Sequence, residues 1–214
     1  MHIEFLVEDS SGKMLLELLI PQIIGPFYKP HTWQIHAYKG IGKTPHNLKP
    51  ATEARKRVLL DQLPRLLKGY AKTPNIDAVV VVVDSDRKSC TDFLGELNSV
   101  ASESGSPKTM FRIAIEEIES WYLGDPAAIQ AAYPRAKQAP LARYEQDSVC
   151  GTWELLADIA YPGGVKAVYK IGWPLPGNLK HEWAANIGAH MDIERNGSPS
   201  FKKFVSGLRR LANI

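Results

Sequence analysis

Short, wholly apolar runs along the chain alternate with stretches in which apolar residues recur every three to four positions. This is the pattern of buried strands exchanging with amphipathic helices. Residues 3–7 form the first such run, closed by the polar group Glu8-Asp9-Ser10-Ser11-Gly12. Over 13–24, Met14, Leu15, Leu18, Leu19 and Ile23 fall on one helical face, and Pro21 predicts a kink or an early stop. A second strand is expected over 33–38. Residues 53–70 carry the stripe Val58, Leu59, Leu63, Leu66, Leu67 and Tyr70, with Pro64 as a break in that helix. The strongest strand signal is 78–83, where five consecutive valines lack alternation and suit a central parallel strand covered on both faces. A helix over 92–100, a strand over 110–115, the acidic and aromatic stretch 116–122 and a helix near 126–132 complete the series.

Strands alternating with helices predict an α/β fold: a Rossmann-like, mostly parallel sheet flanked by helices, occupying residues 1–138. From 139 to 214 the character changes to a tryptophan-rich, mainly helical extension packed on that sheet. Trp153, Trp173 and Trp183 lie here, and with Leu155, Leu156 and Ala184 as neighbours they read as core residues. The final helix is the clearest. Ser198 caps it, Pro199 takes its first position, and Phe201, Phe204, Val205, Leu208 and Leu211 form its apolar face.

Composition narrows the class without naming a chemistry. The 214 residues are 44% hydrophobic and 23% charged, as in a soluble globular protein, which excludes collagen-like and disordered chains. Lys and Arg number 26 against 23 Asp and Glu, a net charge of +3 that neither requires nor opposes a nucleic-acid partner. Cys90 and Cys150 are too few and too far apart for a disulfide framework or a zinc site. No apolar stretch approaches the roughly 20 residues that span a bilayer, and residues 1–10 lack the basic start of a signal peptide. A cytoplasmic protein without membrane contact is expected. The histidines show no metal-ligand spacing, no GxSxG elbow occurs, and the cysteines have no histidine partner nearby.

Acidic residues at strand ends carry the chemical information. Glu8 closes the first strand; Asp84 and Asp86 close the valine strand. In a parallel sheet all C-terminal strand ends face one edge, where ligands bind. Carboxylates converging there repel one another unless a hard divalent cation such as Mg²⁺ or Mn²⁺ joins them. In extended backbone Asp84 and Asp86 point to the same side. Glu116, Glu117 and Glu119 follow a third strand. Glu117 and Glu119 share a face if the backbone stays extended, Glu116 and Glu119 if a helix begins, so Glu119 is the further candidate ligand in both cases. The basic loop 38–50, with Lys39, Lys43 and Lys49 on a glycine-punctuated backbone, suits contact with phosphates beside this edge.

The motifs IEFLVED (Glu8) and VVVVVDSD (Asp84, Asp86) resemble the TOPRIM domain of topoisomerases, bacterial primases, OLD-type nucleases and the ribonuclease that matures 5S RNA. With the segment IAIEEIESWYLGD over 113–125, the chain is most similar to the small TOPRIM-like proteins of the DUF4276 type. This resemblance covers about the first two thirds of the chain. It implies a TOPRIM fold and a Mg²⁺ (or Mn²⁺) site for phosphodiester cleavage held by Glu8, Asp84 and Asp86. It also implies an ABC- or AAA-type ATPase partner in phage defence. Two departures reduce the ligand set: Gly12 stands where related nucleases carry a second acid, and Arg87-Lys88 replace a DxDxE extension. One metal is then expected more readily than two.

A rival reading comes from residues 37–44, which nearly match GxxxxGK[ST] and, with Asp84, suggest an NTPase. Pro45 opposes it, because proline disfavours helical backbone at Thr44. The expectation is therefore a Mg²⁺-dependent nuclease on DNA or RNA. In it Glu8, Asp84 and Asp86 hold the metal with Glu119, the metal activates a water, and Lys39 or Lys43 neutralises transition-state charge. The alternative is a non-catalytic module that binds nucleic acid or protein through the same edge.

Overall fold

The valine run becomes β3 (Ala78–Asp84), an interior strand of a four-stranded sheet with β1 (His2–Val7), β2 (Thr32–Ala37) and β4 (Lys108–Ala114). This computed structural model describes residues 1–43, 58–105, 108–148 and 151–214. All pairings are parallel and the strand order is β2-β1-β3-β4. The chain leaves β1 to one side to make β2, then returns past β1 to make β3. The topological switch point therefore lies between β1 and β3, where Val7 pairs with Val82.

Strand alternation sends side chains to two cores. Ile3, Phe5, Val7, Val80 and Val82 pack against α1 (Ser10–Ile24) and the later helices. Leu6, Val79, Val81 and Val83 pack against α2 (Leu59–Tyr70) and α3 (Cys90–Glu103) through Leu63, Leu67, Phe93 and Leu97. Burial on both faces is why the valine run shows no polar alternation.

Both internal prolines are absorbed. Helix α1 runs through Pro21 to Ile24 and ends at Gly25, whose φ of 88° suits glycine. A proline within a helix costs about 3 kcal/mol. Leu15, Leu16, Leu19, Ile20, Ile23 and Ile24 are all buried along the same helix, each worth roughly 1.5–3 kcal/mol. Packing therefore outweighs the lost hydrogen bond, and the expected kink does not end the helix. Pro64 likewise sits inside α2, whose expected beginning at 53–57 lies outside the described residues.

After β4 come the short helices α4 (Glu119–Leu123), α5 (Pro126–Ala132) and α6 (Gln138–Ala142), then α7 (Thr152–Ala160), α8 (Gly164–Ile171), α9 (Leu175–Asn186) and α10 (Pro199–Ala212). They build onto the α1 face, and their apolar residues join one core with the sheet. Trp121 is fully buried, 5.4 and 5.1 Å from the rings of Phe201 and Phe204, and donates from Nε1 to Ser200 Oγ at 3.1 Å. Asp125 locks this part together. It accepts from Ala128 N to cap α5, from Asp192 N at 2.9 Å, and from Arg195 Nε and Nη2 at 2.8 and 2.9 Å. The core reading of the tryptophans holds for Trp183, which is buried, but not for Trp173, which is 82% exposed. Trp173 falls in the turn between α8 and α9, where the stripe that buries its neighbours is interrupted. Among the described residues no helix is long and apolar enough to cross a membrane.

Candidate functional site

Glu8 immediately follows β1, and Asp84 is the last residue of β3, so the two acids sit side by side at the switch point. The loop after β2 is fastened to the same edge: Tyr38 N donates to Val7 O at 3.0 Å and Gly40 N to Glu8 O at 3.1 Å. Beyond Asp84 the strand stops. Ser85 is buried, donating from its N–H to Ala114 O at 3.0 Å and accepting from Glu116 N at Oγ, 2.7 Å. Asp86 turns to φ 49° and is exposed. The extended geometry that would aim Asp84 and Asp86 together is thus broken at the second acid, although the charge of Asp86 still acts on Glu8.

The three glutamates after β4 divide their tasks. Glu116, at φ 61°, turns away and accepts from Thr152 N at 2.7 Å and from Gly151 N, tying off the start of α7. Glu117 and Glu119 turn to a residue that the sequence patterns do not mark. Lys180 of α9 places Nζ 3.0 Å from Glu117 Oε1 and 3.6 Å from Glu119 Oε1. Glu119, favoured from the sequence on either backbone, is 1% exposed.

Electrostatic strain is concentrated here. Burial, followed by the charges of Asp86 and Asp9, pushes the Glu8 carboxyl up to about 7, against a hydrogen bond from the Asp84 backbone and the attraction of Lys180. Burial raises Asp84 well above the usual carboxylate range, and Glu8 and Glu119 add to it. Glu119 rises to about 7, again chiefly through burial, with Lys180 opposing and Glu117 reinforcing. Burial also raises Glu117. The Lys180 ammonium is destabilised by its own burial, but Glu119, Glu117 and Asp84 more than offset this and raise its pKa.

One positive charge thus faces four carboxyl groups. Glu8 Oε2, Glu117 Oε2 and Glu119 Oε2 are buried without a hydrogen-bond partner, as is the Tyr122 hydroxyl beside them. Unsatisfied carboxylate oxygens in a buried site are costly. Carboxylate oxygens are the donor type that Mg²⁺ or Mn²⁺ takes. Among the described residues no group of three His, Cys, Asp or Glu side chains is spaced to hold a metal ion. Glu117 and Glu119 instead engage the ammonium.

The remaining expected residues lie around this edge. Lys39 and Lys43 are exposed on irregular backbone, with Gly40 and Gly42 at φ 92° and 71°. Leu59 N and Leu60 N donate to Gly40 O and Ile41 O, so α2 starts against the loop. Lys49, and the question of a helix following Lys43, lie outside the described residues. Gly12 has a physical reason to lack an acid: a Cβ there would stand 2.7 Å from Val7 Cγ2 and 3.3 Å from Asp9 Oδ1. Asp9 itself is used as the N-cap of α1, accepting from Gly12 N at 2.7 Å and from the Ser11 hydroxyl. Lys180 escaped sequence reasoning because its helix has no regular apolar stripe to fix which face looks inward.

A family model described as a domain of unknown function, DUF4276, matches residues 7–209. The match runs from the end of β1 into α10, so it takes in the helical tail as well as the sheet. No curated protein and no solved structure matches the chain.

Proposed function

The chain belongs to the DUF4276 family, and from that membership and its acidic edge we propose that it is a TOPRIM-like, Mg²⁺- or Mn²⁺-dependent nuclease acting on DNA or RNA. The observation that carries this reading is the set of buried, partnerless carboxylate oxygens of Glu8, Glu117 and Glu119 beside Asp84. Charge of one sign held at a sheet's switch point is costly unless a cation uses it. In this reading Glu8, Asp84 and Glu119, which as they stand are not spaced as a ligand set, would draw together on the metal, with Asp86 at the exposed mouth. A bound Mg²⁺ polarises a phosphodiester and makes water a better nucleophile near neutral pH.

The chain's own residues prepare the site for an anion. Lys180 removes part of the negative field, and Lys39 and Lys43 offer exposed cations on the loop tied to Glu8 O. An ATPase partner, with a role in phage defence, is part of the same proposal through the TOPRIM resemblance.

Two observations support a second reading, a non-catalytic binding module. Lys180 already pairs with Glu117 and Glu119, and the position of a second acid is closed at Gly12. Asp84→Asn separates the two, since it keeps size and hydrogen bonding but removes charge. In the nuclease, cleavage in Mg²⁺ or Mn²⁺ disappears while nucleic-acid binding survives. If neither wild type nor variant cuts DNA or RNA with either metal, with and without an ATPase encoded beside it, the nuclease is wrong and the binding module stands.

A further inference from the structure

We propose that Trp173 and Tyr169 form a stacking platform for an unpaired base, so that the nucleic acid served by the acidic edge is single-stranded. The inference rests on the nucleic-acid reading above and narrows its substrate class.

Trp173 is 82% exposed, Ile171 62% and Tyr169 58%, three large apolar side chains in solvent within the last turn of α8 and the turn that follows it. The Trp173 ring is seated, not loose. A Cβ on Gly177 would lie 3.0 Å from its Cη2 and 3.2 Å from its Cζ3, so the ring rests on glycine backbone with most of its surface open. Tyr169 is held in turn, its ring edge-on to Trp153 at 5.6 Å and its hydroxyl donating to Glu154 Oε1 at 3.1 Å.

Both rings connect directly to the acidic edge. Gly177, the seat of Trp173, precedes Lys180 and His181 by one turn of α9, a rise of about 5 Å. His181 donates from Nδ1 to Gly177 O at 2.9 Å, and its Nε2 pairs with the Ser10 hydroxyl at 2.7 Å. Lys180 reaches Glu117 at 3.0 Å. On the other side, Glu116 holds Thr152 N at 2.7 Å, and the next residue, Trp153, meets the Tyr169 ring at 5.6 Å, which ties Tyr169 to the acidic segment after β4.

The charge around the platform chooses the occupant. Lys166 and Lys170 are exposed on α8, and Lys180, one turn beyond Gly177 on α9, pairs with Glu117. A ligand with flat apolar groups strung on a negative backbone matches aromatic faces flanked by cations, and single-stranded nucleic acid has that chemistry. A duplex hides its base faces within its own stack and gains only the cations.

The test measures binding of fluorescein-labelled oligo-dT, and of a duplex of equal length, in EDTA at low salt, where nothing is cut. Wild type should prefer the single strand. Trp173→Ala should weaken single-strand binding roughly 5- to 100-fold with little change for duplex, and Trp173→Phe should recover most of the loss. An unchanged circular dichroism spectrum shows that the exposed position left the fold intact. Single-strand affinity within about twofold of wild type in Trp173→Ala, an equal loss on both ligands, or no binding of either overturns the platform. So does reduced self-association of Trp173→Ala with nucleic-acid binding untouched, which would make the patch a protein contact. The two proposals fail separately. Trp173-dependent single-strand binding without cleavage keeps the platform and removes the nuclease. Asp84-dependent cleavage indifferent to Trp173 does the reverse.

Discussion

Lys180 Nζ lies 3.0 Å from Glu117 Oε1 across 63 residues of sequence, joining a helix of the tail to the acidic edge of the sheet. Removing this ammonium leaves Glu117 and the fully buried Glu119 facing each other without a counterion. Lys180→Met should lower stability by about 3 kcal/mol at neutral pH, and the loss should shrink on acidification as the carboxyls take up protons. Chemical denaturation at two pH values checks this; equal losses at both would show that charge is not the cause.

The pH response of the metal-free protein follows from Glu8 and Glu119. Each is raised from 4.5 to about 7, so the folded state binds protons more tightly than the unfolded chain. Their contribution to stability is complete below about 4.5 and is lost as pH rises through about 7. A divalent cation that binds the ionised carboxylates reverses this loss. The Tm in EDTA should therefore decline over that window, and Mg²⁺ should raise it more at about pH 8 than at about pH 5. No effect of Mg²⁺ or Mn²⁺ at the higher pH would count against a metal site.

Glu116 is expected to be structural although it sits among the candidate ligands. Its carboxylate accepts from Gly151 N and Thr152 N at the start of α7. Glu116→Ala should cost about 1–2 kcal/mol, the range of a lost helix cap, without weakening metal binding measured by calorimetry. A fall in metal affinity at unchanged stability would return Glu116 to the ligand set.

Asp125, the last residue of the segment that suggested the family, also proves to be an anchor. It is wholly buried and accepts hydrogen bonds from Ala128, Asp192 and Arg195. Asp125→Ala should cost about 2–4 kcal/mol, read as a lower midpoint in denaturant. Asp125→Asn should lose less, because it keeps the cap and part of the Arg195 contact.

Strand periodicity and β preference made β1 and β3 legible, and with them the placing of Glu8 and Asp84. Glu119 shares Lys180 with Glu117, the pairing that the sequence offered for extended backbone, while Glu116 turns away. Asp86 was misaimed, since alternation holds only while the strand continues and φ at Asp86 is 49°. The helix-breaking force of Pro21 was overestimated because the burial that opposes it comes from residues distant in sequence. Lys180 was missed and Trp173 misread as core for a related reason. A lysine on a helix and a tryptophan beside prolines look alike whether solvent or a carboxylate cluster awaits them, and only the folded tail decides.

The wiring of Lys180 also sets a timetable. A ribosome completes the sheet and exposes its acids before it makes the residue that tempers them. At roughly 5–20 residues per second, the 63 residues between Glu117 and Lys180 take roughly 3–13 s to synthesise. During that interval Glu117 and Glu119 lack the ammonium that pairs with them in the fold, and a chain cut between Leu123 and Lys180 would lack it permanently. The tail is in this sense a late-arriving safety device, and trimming the protein at its apparent boundary would yield a sheet repelled by its own edge.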